Sequence, residues 1–178
     1  MNFNLSILRL KIMFYLLLGK IERVSPQIKL PNKESINNVV IVFPKDETDF
    51  RISMFKFKDF YIKKNNIIYF FLINQNFLEP FNLKKSNIFA VEYKKNQMKL
   101  CDNKNKKILL EQNFDVVVDL NTNFFFGCSK FISYLKSRIK IGFESNFSDI
   151  FYNLQLKSKK NGSTEQSFTR IKDILESL

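Results

Sequence analysis

From residue 39 onward the chain alternates between two hydrophobic patterns. Apolar runs of strand length occur at 39–43, 67–73, 88–91, 114–120 and 139–143. They are rich in valine, isoleucine and phenylalanine, and the first is continuous, as a strand buried on both faces would be. Between them, apolar residues recur at helical spacing. Phe50, Met54, Phe57 and Tyr61 fall on one face of a helix that Thr48 or Asp49 can cap and that Asn65 and Asn66 end. A short segment through Phe77 and Phe81 leads to the third run. Residues 94–107 read as a loop or a small hairpin around Met98 and Leu100, and residues 108–110 as the last turn of a short helix. After the fourth run, Thr122 or Asn123 can cap a helix whose buried stripe is Phe124, Cys128, Phe131 and Leu135, widened by Phe125 and Ile132. Cys128 is thereby a small core residue. Ser163, with Gln166 three positions on, opens a last helix carrying Phe168, Ile171, Leu175 and Leu178. Strands alternating with helices predict an α/β fold, a Rossmann-like, mostly parallel doubly wound sheet. No internal repeat and no second domain is evident.

The first 38 residues follow a different pattern and read as a helix and linker preceding a domain at 39–178. Residues 5–21 are strongly apolar but are interrupted by Arg9 and Lys11 and then by Lys20, Glu22 and Arg23. A membrane-spanning helix needs about 20 predominantly apolar residues, so this stretch is too short to cross comfortably. No small-x-small cleavage site follows Leu18, which argues against a signal peptide. Three roles stay open for residues 5–21: peripheral contact with a membrane surface, packing on the domain, or docking of a partner. Pro26 and Pro31 mark an irregular connection into the first strand.

Composition narrows the classes. The 178 residues are 45% hydrophobic and include 21 phenylalanines but only four glycines and four prolines. This describes a globule with one sizeable core, not a turn-rich β-sandwich. The net charge of +12 invites a nucleic-acid reading, yet the excess is lysine rather than arginine, and no zinc-finger, RNA-recognition or basic-zipper spacing accompanies it. Nucleic acid is therefore not the expected partner. Cys101 and Cys128 form no disulfide framework, which fits a reducing, cytoplasmic setting. The chain has no histidine, which excludes imidazole triads and the commonest transition-metal ligand. No metal site and no cofactor is expected.

In open α/β sheets ligands bind outside the carboxyl ends of the strands, which directs attention to residues 44–49, 120–123 and 142–149. The first of these loops carries Asp46, Glu47 and Asp49 beside Lys45. A carboxylate there can act as a general base, or it can simply favour the positive end of the following helix. The loop contains neither GxGxxG nor GxxxxGK[ST], and three acidic residues would repel a phosphate. Asp119 either faces the crevice or satisfies amides of the next loop. Asp115, at the other end of that strand, reads as structural. Thr48, Asn121, Asn123 and Ser145 are the polar side chains placed to touch a substrate.

Three of these segments together resemble family 9 glycosyltransferases, the heptosyltransferase-like group. Val40-Ile41-Val42-Phe43-Pro44-Lys45-Asp46-Glu47-Thr48-Asp49 is similar to that family's first strand and loop. Phe114-Asp115-Val116-Val117-Val118-Asp119-Leu120 resembles its "YD-aliphatic-IDL" strand. Arg138-Ile139-Lys140-Ile141-Gly142-Phe143 resembles its "R-aliphatic-x-GF" strand, and Phe151-Tyr152-Asn153-Leu154 echoes a frequent continuation. Thr48 stands where the family has glycine, and Pro44 where a basic residue is frequent. The resemblance covers residues 39–178 and implies the acceptor-side domain of a GT-B enzyme that transfers a sugar from a nucleotide donor with inversion. It places the family's general base on Asp49, with Asp46 beside it as a second candidate. It also implies an acceptor glycan or glycolipid, in lipopolysaccharide or envelope glycan assembly at the inner membrane face. The family's donor-binding half would follow residue 178, so a donor-domain partner is expected and the domain alone is expected to be inactive. The alternative is a non-catalytic adaptor or remnant that binds a protein partner or the membrane surface.

Overall fold

A computed structural model describes residues 3–26, 36–58, 67–78, 88–158 and 163–178. The expected positions of Pro31, Tyr61, Asn65, Asn66 and Phe81 lie outside the described residues. Helix α1 (Phe3–Leu17) precedes a sheet built from β1 (Asn38–Val42), β2 (Ile68–Asn74), β3 (Ile88–Lys94), β4 (Gln97–Leu100), β5 (Asn113–Asp119), β6 (Lys136–Phe143) and β7 (Leu154–Leu156). The helices between them are α2 (Glu47–Phe57), α3 (Asn103–Glu111), α4 (Phe126–Tyr134) and the single turn α5 (Ser148–Phe151), and α6 (Thr164–Ser177) closes the chain.

The strands lie in the order β4-β3-β2-β1-β5-β6-β7. Every neighbouring pair is parallel except the β3–β4 hairpin at one edge. This is the expected Rossmann-like α/β sheet. Its central strands lack polar alternation because both faces are covered. Val40, Val42 and Val117 face the core shared with Ile12 of α1 and Cys128 and Phe131 of α4. Val39, Ile41 and Val118 face the opposite core, with Phe50 and Phe57 of α2 and Phe168, Ile171 and Leu175 of α6. Phenylalanine dominates both layers; Phe43, for instance, meets Phe50 and Phe57 edge-on at 5.9 and 6.4 Å between centroids.

Two helix starts differ from expectation. The cap of α2 is Asp46, whose Oδ1 accepts the amides of Thr48 and Asp49 at 3.0 and 3.3 Å. It wins over Thr48 and Asp49 because only a residue ahead of the first turn can reach those two donors. Helix α4 begins at Phe126 with no side-chain cap; neither Thr122 nor Asn123 serves, because the cap position falls on Phe125, past both of them, and the Thr122 hydroxyl is given to Asp49. Residues 94–107 resolve into the β3–β4 hairpin, with Lys95 at φ 48° in its turn, followed by α3. Ser163 caps α6 as expected, accepting the Gln166 amide.

Helix α1 packs on the domain along one face. Ile12 is buried, and Tyr15 meets the Phe126 ring edge-on at 5.7 Å. After Gly19 the chain doubles back, burying Ile21 and bonding the Val24 amide to the Ile150 carbonyl at 3.0 Å. Among the described residues, no helix is long and apolar enough to cross a membrane.

Candidate functional site

The chain runs outward from β1 to β4 and then returns to place β5 against the other side of β1. The strand order therefore reverses between β1 and β5, and in open sheets this is where the carboxyl-end loops part to leave a crevice. The loops that flank it are residues 43–46, entering α2, and residues 120–125, entering α4.

Asp49 and Thr122 meet between these two loops. The Thr122 hydroxyl donates to Asp49 Oδ2 at 2.7 Å. Because Asp46 has taken over the capping, Asp49 sits in the first turn of α2, half-buried, with its carboxylate turned toward the β5 loop. Its other oxygen receives no hydrogen bond, and neither oxygen an ion pair, among the described residues. The Asp46 carboxylate, by contrast, is engaged with backbone amides. Thr48 and Asn123 are exposed near the same rim.

Asn121 ties the two loops together from below. Its Oδ1 accepts the Lys45 amide at 3.0 Å, and its Nδ2 donates to Asp119 Oδ1 at 2.7 Å. Both Asn121 and Asp119 are buried, so they lie beneath the two loops and not on the exposed rim. Asp119 Oδ1 also accepts the Asn121 amide at 2.9 Å, while Oδ2 accepts the Tyr152 hydroxyl at 2.5 Å and the Cys128 thiol at 3.3 Å. Ser129 Oγ completes the cluster at 2.9 Å from the Tyr152 hydroxyl. Asp119 thus satisfies the loop amide, one of its two expected roles, and does so fully buried.

Burial sets the electrostatics of this cluster. It raises the Asp119 carboxyl above the usual carboxylate range, against the opposing pull of hydrogen bonds from Tyr152, Asn121 and Cys128. Burial, reinforced by the neighbouring Asp119 charge, pushes the Cys128 thiol and the Tyr152 phenol well up. A thiol held in this way is no nucleophile at neutral pH. Tyr93, half-buried with its phenol beside them, is likewise pushed well up, first by desolvation and then by Cys128 and Asp119. The polar atoms of the cluster are thus spent on one another and on backbone, and tie α4 and the α5 turn to the end of β5.

Lys45, which the sequence sets beside the three acidic residues, makes a contact that residue patterns did not predict. Its ammonium lies 4.5 Å from the centre of the Phe125 ring, a cation–π contact that joins the loop before α2 to the loop before α4. Tyr152 was also not legible as a site component, because its partner Asp119 is 33 positions away in sequence. Ser145 lies beyond the tip of β6, where its amide donates to Ser148 Oγ at 2.8 Å; it belongs to the turn into α5. Asp115 bonds the amides of Asn37 and Asn38 at 2.8 and 3.1 Å, anchoring the entry to β1. Among the described residues, no cluster of cysteine or carboxylate side chains is grouped to hold a metal ion.

The sheet order and its reversal between β1 and β5 define a Rossmann-like α/β domain. Among solved structures, E. coli heptosyltransferase WaaC with ADP is similar, with a TM-score of 0.59 at 14% sequence identity. The likeness covers 77% of this chain and 46% of that one, so this chain spans about half the length of the enzyme it matches. No protein-family model matches the sequence, and no curated protein matches it.

Proposed function

We propose that this chain is the acceptor-side domain of a heptosyltransferase-related, inverting sugar transferase, with Asp49 as its general base. The observation that supports this reading is the Asp49–Thr122 contact at the reversal between β1 and β5. It orients a half-buried carboxylate at the crevice while leaving its second oxygen without a described partner. An acceptor hydroxyl positioned there would give its proton to Asp49 as its oxygen bonds to the anomeric carbon. The bond from that carbon to the nucleotide phosphate would break on the opposite face, which inverts the centre. Thr48 and Asn123 would line the rim for a glycan or glycolipid acceptor, and Lys45 would face anionic groups on it. The structural likeness to an enzyme solved with ADP is consistent with a nucleotide-sugar donor. That donor would be held by a second domain, supplied by another part of the protein or by a partner chain. Envelope glycan or lipopolysaccharide assembly is the setting in which such an acceptor occurs.

The test is transfer from nucleotide sugars to lipid-linked acceptors, measured on the domain with a matching donor domain. Asp49→Asn retains an acceptor for Thr122 but cannot take a proton, and should lower kcat by about 10²–10⁴-fold. Transfer unchanged by Asp49→Asn would remove Asp49 from the chemistry.

A second reading, a non-catalytic adaptor, draws on the internal satisfaction of the cluster beneath the two loops, where Asp119 and Asn121 spend their polar atoms on one another and on backbone. It expects no transfer with any donor domain, together with a stable complex with a protein partner.

A further inference from the structure

Helix α1 is apolar on both sides, and only one side has a cover. Its inner face is docked on α4 and α5 through Ile12, Tyr15 and Leu16. Its outer face carries Ile7, Leu10, Phe14 and Leu17, spaced by three, four and three positions, which places them on one stripe. These side chains are 49, 68, 59 and 84% exposed. A helix that is apolar all round is normally buried on all sides.

Charge on the same flank selects the cover. No acidic residue lies anywhere in α1. Beside it, between α1, the β3–β4 hairpin, α3 and α4, opens a cleft of about 450 Å³ into which Lys11, Lys99, Lys106 and Lys130 converge with no carboxylate in its lining. Lys11 and Lys130 are held there by aromatic rings, Lys11 5.1 Å from the centre of Phe126 and Lys130 4.0 Å from that of Tyr15. None of the four pairs with an acidic side chain among the described residues. Four unpaired cations beside a bare apolar stripe, on a chain of net charge +12, complement an anionic lipid surface. A second copy of the chain would bring like charges together.

We propose that α1 seats this protein on an anionic bilayer, with Ile7, Leu10, Phe14 and Leu17 entering the acyl boundary and the four-lysine cleft taking lipid phosphates. The helix lies in the interface plane, which suits its length and its docked inner face. This goes beyond the transferase reading and does not depend on it.

The experiment is co-sedimentation of the full chain with vesicles of phosphatidylcholine alone or mixed with phosphatidylglycerol. Binding to the mixed vesicles should be strong and fall with salt, and binding to neutral vesicles weak. The exposed substitutions Leu10→Gln, Phe14→Gln and Leu17→Gln together should reduce partitioning more than tenfold with an unchanged circular dichroism spectrum. Lys99→Ala and Lys106→Ala should each cost about fivefold on mixed vesicles. The proposal is overturned if the folded chain ignores mixed vesicles or binds both kinds equally. It is equally overturned if the triple glutamine variant binds as tightly as the parent, or if the stripe proves to hold a dimer that the same variant dissociates.

Discussion

Gly142 lies against the ring of Tyr152, so close that a Cβ at this position would stand 2.7 Å from three ring carbons. The glycine is needed for space, since its backbone is not in the positive-φ region. That approach lets the Tyr152 hydroxyl reach Asp119 beneath the crevice. It also gives a physical reason for glycine before Phe143 in β6. Gly142→Ala must displace the ring and should destabilise the domain by about 1–3 kcal/mol, the usual range for overpacking. Combined with Tyr152→Phe, the loss should be less than the sum of the two, because both act on one hydrogen bond. Urea unfolding of the three variants measures this; strict additivity would show that the ring moves without loosening the bond.

Asp119 offers a test of the cluster from its centre. Both oxygens already accept from two donors each. Asp119→Asn turns an amide nitrogen toward other donors, and the expected loss is about 1–3 kcal/mol for a buried group left unsatisfied. The pH dependence follows from the raised carboxyl. Between its unfolded and folded pKa the native state holds the extra proton, so this group's contribution is full below the unfolded value and declines as pH rises through the folded one. The stability difference between parent and variant should therefore be largest in acid and shrink with rising pH; a difference that widens above pH 4 would contradict the burial-driven shift.

Much of this architecture was legible in the chain, for a definite reason. Burial on both faces erases the alternation a half-exposed strand would show, so β1 and β2 stand out as continuous apolar runs and β5 as a buried valine run between Asp115 and Asp119. What escaped was either short or non-local. The three residues of β7 and the single turn of α5 are too brief to carry a period. The β3–β4 turn was ambiguous because it uses Lys95 at φ 48°, with no glycine to mark it. In the 46–49 and 121–123 stretches several polar residues can each cap a helix, and local sequence does not choose among them. The choice came from across the sheet, where Thr122 is drawn to Asp49. Cys128 read correctly as a core residue from its helical spacing, but its thiol–Asp119 contact depends on α4 packing over β5.

Gly127 plays for the hairpin the part that Gly142 plays for Tyr152. A Cβ there would lie 2.8 Å from the Asn96 carbonyl oxygen and from Gln97 Cα and carbonyl carbon. These are backbone atoms and cannot rotate aside. Gly127→Ala should push the β3–β4 turn off α4 at a cost of about 1–3 kcal/mol. Hydrogen exchange should report the change locally, with faster exchange in β4 and little change in β1 or β5. Uniform acceleration across the sheet would mean that the hairpin is not a separable edge.

Lys140 gives the domain an alkaline signature. It lies on β6 beside the turn after α1, buried, with its ammonium 3.3 Å from the Ser133 carbonyl oxygen. Burial lowers its pKa to about 8, against a weaker opposing effect of Glu22. The unfolded chain holds this proton up to an ordinary lysine value of 10.5. Between the two values it is the unfolded state that binds more protons, so this group makes stability rise with pH across that window. The opposite trend comes from Tyr69, whose phenol is raised to about 12 chiefly by burial, but that contribution begins only above pH 10. Lys140→Met keeps the apolar stem and removes the buried charge, and it should stabilise the domain at pH 7 by about 1–3 kcal/mol. The gain should fade between pH 8 and 10, where the native lysine is already neutral. Thermal unfolding of parent and variant across that range decides the matter: a gain independent of pH would show that it comes from apolar packing and not from removal of the buried charge.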